Sequence, residues 1–358
     1  MKKISLLGLS FVLFALISFN SCQVQQKYVV KSAIFWNSPI MSKEVAKKIA
    51  SYAIVIADEE NFVNNPKSLK IIKRRNKEAK LLCYSNPMEL FDPMVAGRPL
   101  QAAIAKEIQE KYQQWLFKTS NGEQAIFYPG MIMLNLSSDC PRIDGKTCLE
   151  YLAAKKLAIL KNKIWDGSFE DNNGGNVSWV YLGKDYQIDA NNDGQNDNPD
   201  TLDYHWSKGI SDYLSLIRAG MPKNKLIIGN KGSVEFTDQV DGRTFEDWPC
   251  AYLGGTKNFG WDQCMINAEK TGSYTIFLVM SEDNVNFALA SAALIGNGKQ
   301  VYIAVGQNNS EFHPELQINL GEPLDKAQKG DSCYFRNFAK GRVEVRPWAK
   351  EGKIILNK

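Results

Sequence analysis

Cys148-Leu149-Glu150-Tyr151-Leu152-Ala153-Ala154-Lys155-Lys156-Leu157-Ala158-Ile159-Leu160-Lys161-Asn162-Lys163-Ile164-Trp165-Asp166-Gly167-Ser168-Phe169-Glu170-Asp171-Asn172 changes its period once. Cys148–Asn162 reads as an amphipathic helix, and Lys163–Phe169 as the strand it feeds. The same unit recurs outward in both directions. Ala33–Asn37, Ala53–Asp58 and Leu81–Ser85 are strand-like, separated by the helical stretches Ser42–Ser51 and Pro66–Lys77, the second opened by Asn65 as its cap. Leu100–Phe117 predicts a long helix before the quoted unit. After it come the helix His205–Ala219, stopped by Gly220-Met221-Pro222, and the strands Lys225–Gly229, Arg243–Glu246, Tyr274–Met280 and Gln300–Val305. Ala288–Ile295 is the helix before the last strand.

Eight strands alternating with helices predict an α/β fold, a (β/α)₈ TIM barrel over residues 32–315. A doubly wound open sheet is the alternative, weakened because no glycine-rich dinucleotide fingerprint follows the first strand. From about Leu316 the pattern changes to short alternating segments, Tyr334–Phe338, Arg342–Pro347 and Ile354–Leu356, turning at Lys340-Gly341. Residues 316–358 therefore read as a small C-terminal antiparallel β extension packed on the barrel.

Composition removes several function classes. The 358 residues are 44% hydrophobic and 23% charged, which excludes a disordered chain. Forty-three basic against 39 acidic residues give no footprint for nucleic acid. Two histidines leave little for a His-rich metal site or a His-based triad. No Gly-x-Ser-x-Gly elbow and no His-Glu-x-x-His is present.

Lys2-Lys3, the apolar run Ile4–Phe19 and Asn20-Ser21-Cys22 have the order of an export signal. A single N-terminal anchor helix is the other reading. Cys22 after a small residue resembles a bacterial lipobox, which implies a signal peptide over 1–21, lipidation of Cys22 and a tether over 22–31. Gln23, standing where Asp would retain the protein, resembles an outer-membrane sorting signal. Removal of residues 1–21 takes Lys2 and Lys3 with it, leaving 41 basic and 39 acidic residues, or +2. An oxidising compartment suggests disulfides among the other cysteines. Cys140 and Cys148 flank a turn and are the first pair; Cys250 and Cys264, closing a glycine-rich loop, are the second. Cys83 and Cys333 follow by elimination or stay thiols.

Asp189-Ala190-Asn191-Asn192-Asp193-Gly194-Gln195-Asn196-Asp197-Asn198-Pro199-Asp200 sets oxygen ligands at loop positions 1, 3, 5, 9 and 12. Gly194 stands at position 6, and Gln195 offers its carbonyl from position 7. This is an EF-hand-type calcium plan with Asp in place of Glu at the end, resembling the dockerin loop. Asp189, Asn191, Asp193, Gln195, Asp197 and Asp200 are the expected ligands of a structural Ca²⁺. A polar turn is the alternative.

Acids cluster where strands end, which in a barrel is the reaction side. Strand alternation puts Asp166, Ser168 and Glu170 on one side and Phe169 and Asp171 on the other. Phe245-Glu246-Asp247-Trp248 and Ser281-Glu282-Asp283 end later strands. Glycosidic cleavage needs a carboxylic acid to protonate the leaving oxygen and a carboxylate to act as nucleophile or base. Glu246, beside Phe245 and Trp248, fits the first role, and Asp171, beside Asn172 and Asn173, the second. Acids at strand ends also serve as helix caps, loop salt bridges or calcium ligands, so each single assignment is open. Trp36, Tyr84 and Trp248 offer aromatic faces for sugar rings, with core packing as the alternative. Trp115 and Trp165 read as core. Asn37, Asn86 and Asn230, with Glu170 and Asp283, complete the expected substrate-binding set.

Asp166-Gly167-Ser168-Phe169-Glu170-Asp171 resembles the Asp-Gly-x-Phe-x-Asp strand end of uncharacterised bacterial glycoside-hydrolase-like families with a TIM barrel, distantly similar to the α-amylase clan. The following Asp-Asn-Asp-Gly loop, the strand reaching Glu246 and the stretch Tyr334–Gly341 share the likeness, which spans roughly residues 30–350. It implies a hydrolase-like barrel with Asp171 and Glu246 as its acids. The sequence departs at Glu170, where an apolar residue is usual, and at Arg346. The expected function is hydrolysis of an extracellular or periplasmic saccharide by a chain lipid-anchored to the bacterial membrane, the outer one by its sorting signal. The rivals are an inactive barrel that binds saccharide at the surface, and a solute-binding lipoprotein, which needs two lobes.

Overall fold

The computed structural model describes residues 30–181, 187–248, 260–280, 284–296 and 299–357. The export segment with Cys22, and Cys250 and Asp283, lie outside these residues. Eight parallel strands close a barrel: β1 (Val30–Trp36), β2 (Ile54–Asp58), β3 (Lys80–Ser85), β4 (Gly167–Glu170), β5 (Leu226–Gly229), β6 (Gly242–Phe245), β7 (Tyr274–Val279) and β8 (Gln300–Val305). Each pairs with its neighbours in the chain, and β1 pairs with β8 through Val30↔Val301 to close the ring.

Barrel closure follows from strands buried on both faces. Ala33, Phe35, Ile54, Ile56, Leu82, Phe169, Ile228, Ile276, Leu278, Tyr302 and Ala304 fill the interior as one apolar cluster. The alternate residues Ile34, Val55, Leu81, Cys83 and Ile227 pack outward against helices.

Besides a single turn at Asn61–Asn64, the helices among the described residues are α1 (Lys43–Ile49), α2 (Pro66–Arg75), α3 (Pro99–Lys111), α4 (Cys148–Leu160), α5 (Pro199–Gly220), α6 (Trp261–Lys270) and α7 (Val285–Ala293). Three of their starts are capped by a local side chain. Ser42 accepts from Val45 N, Thr147 and Glu150 form a capping box, and Asn198 accepts from Asp200 and Thr201 N ahead of Pro199. Residues 230–241, between β5 and β6, hold no helix, so one of the repeats is reduced to a loop.

Several expected boundaries move. β4 begins at Gly167 instead of Lys163, because Asp166 turns its carboxylate to Leu81 N (2.7 Å) and Lys73 Nζ (2.8 Å). Asn65 makes no cap bond; its amide donates to Pro39 O and Asn61 Oδ1 instead. The helix expected over Leu100–Phe117 stops at Lys111, and a single 3₁₀ turn brings Trp115 into the core. α5 starts six residues before His205, at its Asn-Pro cap.

Two additions shape the molecule. Residues 86–147, between β3 and α4, form an insertion in which Glu89–Phe91 pairs antiparallel with Met131–Met133. The tail folds into an antiparallel sheet of β9 (Gln328–Lys329), β10 (Tyr334–Phe338), β11 (Gly341–Arg346) and β12 (Glu351–Leu356). Phe338, Val343 and Val345 join the same buried cluster as Phe287 and Ala288 of α7, so the extension packs on the barrel's flank.

Cys140 and Cys148 correct the expected disulfide. Both are buried as thiols with no bond between them, and the Cys140 thiol donates to Pro141 O at 3.9 Å. Burial pushes the Cys140 thiol up to about 12 and raises that of Cys148 as well.

Gly209 marks the closest packing of α5, since a Cβ there would lie 1.7 Å from Leu136 O. Helix propensity alone favours Gly209→Ala by about 1 kcal/mol. Collision with a backbone carbonyl outweighs it, so the variant is expected to lose about 1–3 kcal/mol in urea unfolding. A stabilised variant would show that α5 does not pack there.

Candidate active site

Inward parity on four neighbouring strands sets the site. β3 points Leu82 and Tyr84 into the barrel, β4 points Phe169, and β5 points Ile228. Continued by one step past the strand ends, the same alternation brings Asp171 after β4, Asn230 after β5 and Glu246 after β6 to the mouth. Backbone bonds carry the ladder beyond the strands: Asp171 N donates to Ser85 O at 2.8 Å, and Asn230 N to Glu170 O at 2.9 Å.

The four side chains form one hydrogen-bonded line. Tyr84 Oη donates to Asp171 Oδ2 at 2.6 Å. Asn230 Nδ2 donates to Asp171 Oδ1 at 2.7 Å and to Glu246 Oε1 at 3.1 Å. Asn172 N adds a third donor to Asp171, at 2.8 Å. Two oxygens held by one nitrogen are no farther apart than the sum of its two bonds, about 5.8 Å.

The chain turns sharply after each of these groups. Asn172, Lys231 and Asp247, the residues following Asp171, Asn230 and Glu246, have φ of 48°, 70° and 50°. Left-handed non-glycine residues cost of order 1 kcal/mol or more and gather where function constrains the backbone. Here each ends a strand directly behind an inward-pointing group.

Electrostatics separates the two acids. Burial, then the charge of Asp171, pushes Glu246 up to about 7 against the hydrogen bond from Asn230. Asp171 accepts three hydrogen bonds, an arrangement suited to a carboxylate, which only accepts. Tyr84 is raised well above its ordinary value by burial and by Asp171, so it stays a neutral donor. The pair therefore offers a proton donor and an ionised oxygen side by side.

Other expected site residues lie elsewhere. Glu170 is fully buried on the outward face of β4, bonded to Ser85 Oγ (3.1 Å), Tyr213 Oη (3.1 Å) and Ser168 Oγ, so it is not a substrate ligand. Trp248 is core: its ring lies 3.8 Å from Phe277 by centroid and its indole donates to Ala288 O. Trp36 has outward parity, is 9% exposed and donates to Ile40 O. Trp115 and Trp165 are core, as expected. Asn86 is buried and accepts from Met88 N. Asn37 has inward parity and stands at the rim, donating to Gln307 Oε1 at 3.0 Å.

The Asp189–Asp200 loop is drawn together by its own amides. Asp189 accepts from Asp193 N (3.0 Å) and Gly194 N (2.8 Å), Asn191 from Asp193 N, and Asp197 from Ala190 N. Asp200 sits exposed in the first turn of α5, and Gln195 is exposed. Among the described residues no three His, Cys, Asp or Glu side chains converge as a metal set. The loop also ties the insertion down, with Ile188–Asp189 pairing Lys118–Thr119 and Ser120 Oγ donating to Asn196 Oδ1 at 2.6 Å.

Three consecutive acids at the end of β2 were passed over in the sequence. Asp58, of inward parity, binds Arg98 at 2.8 Å, and Arg98 lies 3.8 Å over the Phe91 ring. Glu59 is 3.9 Å from Lys156 and accepts from Gln101 Nε2. Glu60 accepts from Leu100 and Gln101 N, capping the start of α3. All three are buried, and together they clamp the insertion to the barrel mouth. A run of acids directly after an apolar strand was the available signal. Glu89 and Tyr128 of the insertion, whose sequence gives no such signal, also come to this mouth.

A family model described as hypothetical glycosyl hydrolase family 15 matches residues 73–342. No curated protein matches the chain. Among solved structures, the chain is similar to a Flavobacterium johnsoniae GH31 dextranase complexed with glucose, at 10% identity and a TM-score of 0.48 over 81% of this chain and 38% of that one. It is similar to an Arthrobacter globiformis T6 isomalto-dextranase complexed with panose at 14% identity and 0.45, over 89% and 64%. It is also similar to the catalytic domain of a Paenibacillus polymyxa β-amylase at 11% identity and 0.46, over 80% and 94%. The chain thus spans less than two thirds of the dextranase and of the isomalto-dextranase. The family match runs from α2 into the C-terminal sheet and takes in both strand-end acids, and the chain belongs to hypothetical glycosyl hydrolase family 15.

Proposed function

We propose that the chain is a retaining glycoside hydrolase with Asp171 as nucleophile and Glu246 as acid and base. The observation that supports it is the Asn230 amide, which holds both carboxyls within about 5.8 Å. Retaining enzymes keep their acids about 5–5.5 Å apart, while inverting ones leave about 6.5–9.5 Å for a water.

In the first step Glu246 gives its proton to the glycosidic oxygen as the bond from that oxygen to C1 breaks. An Asp171 oxygen bonds C1, forming a glycosyl ester. In the second step the Glu246 carboxylate takes a proton from water, whose oxygen bonds C1 while the ester bond breaks. Asp171 and Glu246 return to their starting forms and the sugar keeps its anomeric configuration. The charge that raises Glu246 is lost while Asp171 is esterified, which lowers Glu246 when a base is needed.

The expected substrate is an extracellular or periplasmic saccharide, found by screening neutral polysaccharides for reducing ends. On that substrate Glu246→Gln should lose about 10²–10⁴-fold in kcat, the range for general acid catalysis. Asp171→Asn should lose at least as much, with both variants folded. Glu246 must hold its proton in the free enzyme, so kcat/KM should fall as pH rises through about 7. Proton NMR of the first product should show the retained anomer. An inverted product, or full activity in either variant, would remove the assignment.

Two further proposals rest on the sequence. The order of oxygen side chains in Asp189–Asp200 supports a structural Ca²⁺ that gathers the loop, since each carboxylate keeps lone pairs beyond those its amides use. Calorimetric titration should show one bound Ca²⁺, lost in Asp193→Ala; silence in the native protein would end the idea. Residues 1–22 support export and lipidation at Cys22. Mass analysis of the mature N-terminus should find an acylated Cys22, and an unmodified Met1 would refute it.

A further inference from the structure

The insertion brings an aromatic group to the same mouth. Tyr128 is 49% exposed, in a run where Ile126, Pro129 and Gly130 are exposed as well and Phe127 is half-buried. Its ring lies 4.2 Å by centroid from that of Phe127, and Phe127 meets Trp179 edge-on at 4.8 Å. Trp179 stands on the loop leaving β4 and donates its indole N–H to Asn176 O at 3.0 Å. Asn176 Oδ1 in turn accepts from Lys231 Nζ at 2.6 Å, and Lys231 follows Asn230. The aromatic group is thus tied to the loops that carry Asp171 and Asn230.

One buried carboxyl anchors the backbone that carries the exposed ring. Glu89 is fully buried, and its Oε1 accepts from Tyr128 N at 3.1 Å. The Tyr128 hydroxyl is within electrostatic reach of both Asp171 and Glu246, and Glu89 is within reach of Asp171. An exposed aromatic face tied to the loops of Asp171 and Asn230 matches the apolar C–H face of a pyranose, while the hydroxyl edge of the sugar stays free for polar partners.

We propose that Tyr128 is the stacking platform of the saccharide subsite adjoining Asp171 and Glu246, and that Glu89 is the positioning residue that holds it there. This rests on the saccharide reading above and names a residue for it. A ring anchored through its backbone by Glu89 and packed against Phe127 loses little freedom on binding, which is how preorganisation gains affinity. Stacking is made in the ground state and the transition state alike, so its loss raises KM more than it lowers kcat.

The test uses the full chain on the glycan that it cleaves. Tyr128→Ala should raise KM about tenfold with kcat within about threefold, and Tyr128→Phe should restore KM. Glu89→Gln should raise KM less, and the double variant Glu89→Gln/Tyr128→Ala should be no worse than Tyr128→Ala alone. That non-additivity is the mark of a residue acting through Tyr128, and a merely structural loss would add instead. Saturation-transfer NMR on Asp171→Asn/Glu246→Gln, with maltotriose, isomaltotriose, cellotriose and chitotriose as probes, reads binding without turnover. A trisaccharide bound there and lost on adding Tyr128→Ala supports the platform even if the wild type turns nothing over, which would sink hydrolysis alone. An unchanged KM in Tyr128→Ala, additive losses in the double variant, or binding that is indifferent to Tyr128 would overturn the proposal.

Discussion

The Asn230 side chain bridging Asp171 and Glu246 is the contact on which the rest of this structure turns. One planar amide fixes the separation of the acids, the environment of each and so the chemistry open to them. Asn230 itself is held from behind. Arg243, fully buried on the outward face of β6, donates to Asn230 O at 2.8 Å and to Asn173 Oδ1 at 2.6 Å. It can reach because β5 ends in Gly229, where a Cβ would lie 2.6 Å from the guanidinium. Burial lowers Arg243 to about 10, which still leaves it charged near neutral pH.

A second buried cation supports the nucleophile's strand. Lys156 of α4 reaches the outer wall of the barrel and donates to Cys83 O at 2.9 Å and to Ser85 Oγ at 2.8 Å, with Glu59 at 3.9 Å. Ser85 also binds Glu170, the residue before Asp171, and Glu170 binds Tyr213 of α5. Burying a charge is costly unless it is paired and hydrogen-bonded, and here the acids of β2 and β4 supply that pairing. The network outside the wall and the acids inside it alternate along the same strand, so the geometry of one constrains the other.

Much of this was legible in the sequence, and the reason is periodicity. Apolar strands buried on both faces, separated by helices, admit few arrangements, and the alternation across Phe169, Glu170 and Asp171 puts Asp171 on the face opposite Glu170. The differences have separate causes: alternation places Trp36 outward, whereas the left-handed turn at Asp247 takes Trp248 off the strand's alternation. Trp36 and Trp248 lie near strand ends but on the outer face, where helices cover them. Glu170 looked like a site residue because its partners, Ser85, Tyr213 and Lys156, are distant in sequence. The clamp of Asp58, Glu59 and Glu60 on the insertion, and the approach of Tyr128, depend on tertiary contacts across 39 residues or more, which no local pattern encodes.

The retaining reading is tested most directly by trapping its intermediate. A panel of 2-deoxy-2-fluoroglycosyl fluorides, incubated with the protein and followed by peptide mass spectrometry, reports which carboxylate bonds C1. A retaining enzyme with this geometry predicts one fluoroglycosyl adduct, on the peptide that carries Asp171 and absent from Asp171→Asn. An adduct on Glu246, Glu89 or Asp58 would contradict it.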